Sequence, residues 1–101
     1  MEIHLLESAK EDLREGRRFY DRQTQGLGDH FLDSINADVK RLPQFAGAHK
    51  VVDGFHRMLA RRFPFAVYCL VENEQIKVYA VLDYRRDPEW IIKRLKSSRD
   101  E

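Results

Sequence analysis

The sequence predicts a small α+β domain, in which a helical hairpin packs on one face of a small antiparallel sheet and a short helix closes the chain. Three observations predict it. Between residues 9 and 42, apolar residues recur at spacings of three and four, the pattern of helices with one buried stripe. Between residues 55 and 82, apolar runs alternate and are separated by short polar turns, the pattern of a strand meander. At Asp87-Pro88-Glu89 the chain carries a helix start: an N-cap acid, a proline at the first helical position, and an acid near the positive end of the dipole. The expected order is β-α-α-β-β-β-α.

Taken in order, Glu2 to Leu6 is a short strand with apolar Ile3, Leu5 and Leu6. Ser8 and Glu11 then form a capping-box pattern, which predicts a helix from about Ala9 to Gln25. Ala9, Leu13, Gly16 and Tyr20 make its buried stripe, with Phe19 flanking; an ordinary solvated face accounts for its many charges. Gly26-Leu27-Gly28 breaks the pattern, as a glycine ending a helix does. A second helix runs to about Leu42 on Leu27, Phe31, Ile35, Val39 and Leu42, and Pro43 stops it. The turn between the two helices is so short that they should fold back on one another.

Residues 44–53 form a loop, to which Val51 and Val52 can add a short strand. Phe55 to Arg62, Phe65 to Val71 and Ile76 to Leu82 are the meander, punctuated by Phe63-Pro64. Phe55, Arg57, Leu59 and Arg61 share one side of the first of these strands, and His56, Met58, Ala60 and Arg62 the other. The turn at Glu72-Asn73-Glu74-Gln75 has no glycine, so a loop longer than two residues is expected there. In the last helix Trp90, Ile91 and Leu95 give the apolar face. Residues 97–101 are expected to fray.

Length and composition bound the function. A chain of 101 residues, 43% hydrophobic and 35% charged, reads as a single domain spanning residues 1–101. Its one cysteine, Cys69, lies in an apolar run, which excludes an internal disulfide and reads as a buried small hydrophobe. The start lacks the basic segment of an export signal, and no run approaches the ~18 apolar residues of a membrane span. A cytoplasmic location with no membrane partner is the expectation. His4 and His30 suggest no metal site, and no cofactor is expected. Residues 1–49 carry 7 Lys/Arg against 9 Asp/Glu, a net of −2, whereas residues 50–96 carry 10 against 6, a net of +4. That excess is mostly arginine, whose planar fork suits phosphate and carboxylate recognition.

Four features together resemble the ParE branch of the RelE/ParE toxin superfamily. They are Ala9-x-x-Asp12-Leu13 reaching Tyr20; Gly26-Leu27-Gly28-x-x-Phe31; the arginine-rich strand leading into Phe63-Pro64-Phe65-x-Val67-x-x-x-Val71; and Val78-x-Ala80-Val81 leading into Arg85-Arg86-Asp87-Pro88-x-Trp90. The resemblance covers about residues 2–96 and includes the order of the elements. It implies the toxin of a type II toxin–antitoxin module. It also implies a cognate antitoxin that wraps the toxin by strand addition and by a helix laid in a groove. ParE-like members act on DNA gyrase, whereas RelE-like members cut messenger RNA on the ribosome, and a shared fold does not choose between them.

The residues weigh the two. Cleaving RNA through its 2′-hydroxyl requires a proton acceptor, a proton donor and cations for the phosphorane. Arg57, Arg61, Arg62, Arg85 and Arg86 are candidate cations, His56 or His49 a candidate base, and Tyr84 a candidate relay. No lysine cluster beyond Lys50 precedes the second strand of the meander, and no Tyr or His follows Trp90. The expected action is therefore binding to gyrase without bond-breaking chemistry, through Arg57, Arg62, Arg85, Arg86 and Trp90. A ribonuclease would instead use Arg57, Arg85 and Tyr84. A third reading is a non-toxic module that only binds an antitoxin. Each residue also has a plainer use. Arg57 can pair with a carboxylate on the hairpin, Arg61 and Arg62 can guard a strand end, Arg85 and Arg86 can neutralise Asp83 and Asp87, and Trp90 can anchor packing.

Overall fold

The computed structural model describes residues 1–45 and 50–100. The elements are β1 (Glu2–Leu5), α1 (Glu7–Gln23), α2 (Leu27–Lys40), a 3-10 turn (Leu42–Phe45), β2 (Lys50–Val52), β3 (Phe55–Leu59), β4 (Phe65–Glu72), β5 (Gln75–Asp83) and α3 (Pro88–Ser98). The expected α+β order is present, including the short strand at Val51 and Val52. The strands form one sheet in the order β1-β5-β4-β3-β2.

The sheet is mixed, not wholly antiparallel as the sequence suggested. β2 to β5 form the antiparallel meander, but β1 runs parallel to β5, with Leu5 beside Val78. The cause is the path of the chain after β1. Leu6 leads directly into α1, and α1 packs across β5, so β1 must lie along the first half of β5 in the same direction.

Both sheet faces are covered by apolar side chains. On one face, Phe31, Ile35 and Val39 of α2 and Ala9, Leu13 and Tyr20 of α1 pack against Met58, Val67, Cys69, Val78 and Val81. On the other, Ile91 and Leu95 of α3 pack against Phe55, Ala66, Tyr68, Tyr79, Ala80 and Leu82. Tyr68 pairs with Ala80 and Cys69 with Val78, so Tyr79 is an extra residue on β5. Such a bulge turns two consecutive residues to one face, which is why Tyr79 and Ala80 both meet α3.

Two local expectations are corrected. α1 begins at Glu7, with Leu6 at the cap position and no side-chain cap bond. The capping box is not made because its members have other partners: Ser8 Oγ donates to the Tyr79 carbonyl at 2.7 Å, and Glu11 accepts from Arg14 and Arg18. The β4–β5 connection is a tight two-residue turn, with Asn73 and Glu74 at φ 50° and 62°. Two positive φ values mark the hairpin turn whose twist matches the strands, and it is adopted here without glycine. Holding Glu74 there costs roughly 1–2 kcal/mol relative to glycine. Glu74→Gly is therefore expected to raise the urea midpoint of unfolding. The last helix reaches into the segment expected to fray. α3 continues to Ser98, which is buried at 2% exposure, and Arg99 donates to the Asp53 carbonyl and lies 4.8 Å over the Phe55 ring.

Candidate functional site: an arginine-rich end with an aromatic cleft

β5 outruns its parallel neighbour, so beyond Val78 its edge has no strand beside it. Side chains of α1 cover part of that edge. Ser8 takes the Tyr79 carbonyl, and Asp12 Oδ2 accepts the Val81 amide at 3.0 Å. Arg94 of α3 reaches round the same edge and donates to both Asp12 oxygens at 2.8–2.9 Å and to the Ser8 carbonyl at 3.1 Å. Asp12 is buried at 9% exposure and its partner Arg94 is part-buried. Burial pushes the Asp12 carboxyl up to about 6, opposed by the Val81 amide and by Arg94. The pair locks both helix layers to one strand edge.

Above this lock a cleft of about 380 Å³ opens between α1, the end of β5 and the start of α3. Glu15, Arg18, Phe19 and Arg22 of α1 line one side, Val81 to Asp83 the floor, and Arg86 and Trp90 the other side. Phe19 is 47% exposed and stacks edge-on against Tyr20 at 5.1 Å. Arg86 lies over the Trp90 ring, 3.6 Å from its centroid. Asp87 accepts the Glu89 amide at 3.1 Å with Pro88 in the first turn, so the predicted cap starts α3 at the rim of the cleft.

Neighbouring loops add more arginine. The Tyr84 amide donates to the Pro64 carbonyl, tying the β3–β4 loop, with Arg61 and Arg62, to the end of β5. That loop is held below by Asp38, 2% exposed, which accepts from Arg41 at 2.7 Å and from the Arg61 amide at 3.2 Å. Phe63 is fixed against Tyr20 and Phe31 at ring distances of 4.9 and 5.2 Å. The opposite end of the sheet carries Glu2, Glu72 and Glu74.

The structure thus places Arg85, Arg86 and Trp90 together, with Arg62 and Tyr84 at the same end of the sheet. Arg85 is spoken for: it grips Asp83 through Nε and Nη2 at 3.1 and 2.8 Å, and its hydrogen bonds hold the Asp83 carboxyl below the usual range. The neutralisation of Asp83 by Arg85 is as read from the sequence, whereas Arg86 stacks on Trp90. Arg57 stands apart. It lies on the α3 side of β3, opposite Tyr68, and among the described residues makes no ion pair with a carboxylate of the hairpin. Tyr68 is opposite Ala80. Tyr84, just past the end of β5, is therefore four residues beyond Ala80 and two strands across from Arg57, about 13 Å by about 10 Å. His56 faces the other side of the sheet, opposite Cys69. Arg57, Tyr84, Arg85 and His56 do not converge, and His49 lies outside the described residues.

Two further cleft residues are not marked as functional by the sequence, where Phe19 flanks the buried stripe of α1 and Arg22 belongs to its ordinary charged face. The available signal was Phe19 itself, a large apolar side chain set off the buried stripe among charges. Cys69 is buried, and burial pushes its thiol up to about 11, as suits an inert core residue. Among the described residues no three His, Cys, Asp or Glu side chains gather to hold a metal ion, and no helix is long and apolar enough to cross a membrane.

No family model matches the chain, and no curated protein matches it in sequence. Among solved structures, a chain of the chromosomal ParDE TA system from P. aeruginosa superimposes with a TM-score of 0.73 at 23% identity. The match covers 80% of this chain and 92% of that one. With its helical hairpin, mixed five-stranded sheet and crossing α3, this chain has the ParE-like fold, shared with a component of that toxin–antitoxin system.

Proposed function

We propose that this protein is the toxin of a type II toxin–antitoxin pair, ParE-like in action, which arrests growth by binding DNA gyrase and is silenced by a cognate antitoxin. The observation that carries the reading is the exposed arginine end built around Trp90 on a ParE-like fold. A surface of stacked arginine and aromatic side chains beside an open cleft is suited to gripping a large partner. The dispersal of Arg57, Tyr84, Arg85 and His56 favours binding over ribonuclease chemistry. Among the described residues, it leaves none of these candidates paired to move protons across one phosphodiester.

The antitoxin has a place to bind that does not compete with the cleft. β2 is an edge strand, and Val51 on it is 56% exposed. An extended segment adding there gains main-chain hydrogen bonds.

Charge reversal tests the target surface. Arg85→Glu combined with Arg86→Glu is expected to abolish growth arrest in bacteria at equal protein level, with the helical circular dichroism unchanged. Undiminished arrest would remove these arginines from the target contact.

A further inference from the structure

We propose that the cleft between α1 and α3 receives an acidic segment of the protein target, with one bulky apolar side chain seated between Phe19 and Trp90. The inference rests on the toxin reading above and adds the chemistry of what is bound.

The charges in the cleft decide the partner. Every other cation of α1 already has a carboxylate: Lys10, Arg14, Arg17 and Arg18 lie within 4.0 Å of Glu7, Glu11, Asp21 or Asp29. Among the described residues Arg22 has no such partner. Across the cleft, Arg85 is bound to Asp83, whereas Arg86 lies over the Trp90 ring, feels Asp83 only at longer range and has no carboxylate within 4.0 Å among the described residues. Of the three arginines that line the cleft, Arg18 is paired with Glu11, so Arg22 and Arg86 are the two without an ion-paired carboxylate among the described residues. A guanidinium stacked face-on keeps its N–H edges free for a carboxylate.

The apolar walls argue for a side chain between the acids. Phe19 is nearly half exposed, although a shift of one position would have put it in the core stripe. The cleft volume is in the range of side-chain and small-ligand pockets, about 300–1,000 Å³. Nucleic acid fits less well. Asp12, Glu15 and Asp83 also line the cleft, so it suits a partner whose few acids are spaced to reach Arg22 and Arg86 rather than a dense row of phosphates.

Trp90 is the chain's single tryptophan and reports on the cleft directly. The probe is a capped short peptide with glutamates on both sides of a central leucine. A saturable shift in Trp90 emission is expected, weakened by about tenfold or more in Arg22→Glu and by added salt. Phe19→Ser, an exposed position, is expected to weaken it similarly, and so is leucine-to-alanine in the peptide. The inference is overturned if millimolar peptide gives no saturable shift. It is equally overturned if the lysine counterpart binds as well, or if a single-stranded oligonucleotide takes the site more tightly. Expression of the unaltered chain separates this from its parent. Growth arrest without peptide binding overturns the docking inference alone. Peptide binding without growth arrest overturns the toxin reading and leaves the pocket.

Discussion

Asp12→Ala is expected to destabilise the protein by about 3–5 kcal/mol at neutral pH, because it strands the part-buried Arg94 and the Val81 amide together. Against a total stability of about 5–15 kcal/mol, that is enough to leave much of the chain unfolded in mild denaturant. Arg94→Met is expected to cost less. The Asp12 left behind keeps the Val81 amide and can take up a proton. The pH dependence follows from the direction of its shift. Burial raises the Asp12 carboxyl from 3.8 to about 6 in the folded protein. A group raised in this way contributes stability that is full below its unfolded value and is lost as pH rises through the folded one. Without Arg94 the carboxyl rises further. Arg94→Met should therefore regain stability relative to the unaltered chain between about pH 7 and about pH 5, measured as urea midpoints. Asp12→Leu combined with Arg94→Met should be more stable than Asp12→Ala alone, since no charge is then stranded. Equal losses for Asp12→Ala and Arg94→Met at both pH values would contradict this account of the lock.

Gly28→Ala is expected to be nearly as damaging, at about 3 kcal/mol, by overpacking and by displacing a hydrogen bond. A Cβ at position 28 would lie 2.6 Å from the Arg17 carbonyl oxygen and 2.6 Å from the Asp21 carboxyl. The Arg17 carbonyl belongs to the α1 backbone and cannot move without moving the helix. The Gly28 amide also donates to Asp21 Oδ1 at 2.7 Å, a bond that sets the approach of α2 to α1. Gly26→Ala gives the contrast. Nothing lies within 4 Å of a Cβ there, so only the left-handed backbone at φ 88° opposes it. That costs roughly 1–2 kcal/mol. If urea unfolding ranked Gly26→Ala as the more damaging of the two, close helix packing would not be the constraint at this turn.

What was legible in the sequence was local. The stripes of α1 and α2, the left-handed Gly26 between them, and the Asp87-Pro88 start of α3 each depend on residues within a few positions of one another. So does the grip of Arg85 on Asp83, two residues away. What failed depended on distant partners. Ser8 looks like a helix cap until the Tyr79 carbonyl, 71 residues on, proves the better acceptor. Asp12 reads as a surface acid until Val81 and Arg94 bury it. The direction of β1 is set by the packing of α1 across β5, which no alternation pattern encodes. The site divides in the same way. Arg85, Arg86 and Trp90 are neighbours in sequence and came out together, but the position of Arg57 depends on strand register. Arg22 and Phe19 join the site only because α1 passes beside the end of β5.

The central claim is that this ParE-like chain is a toxin that works by binding gyrase. The measurement that tests it most directly is controlled expression of the chain alone in bacteria, with DNA breaks and messenger RNA integrity read in the same cells. The account predicts growth arrest with double-strand breaks and intact messages. Arrest with cleaved translated messages and undamaged DNA would contradict it.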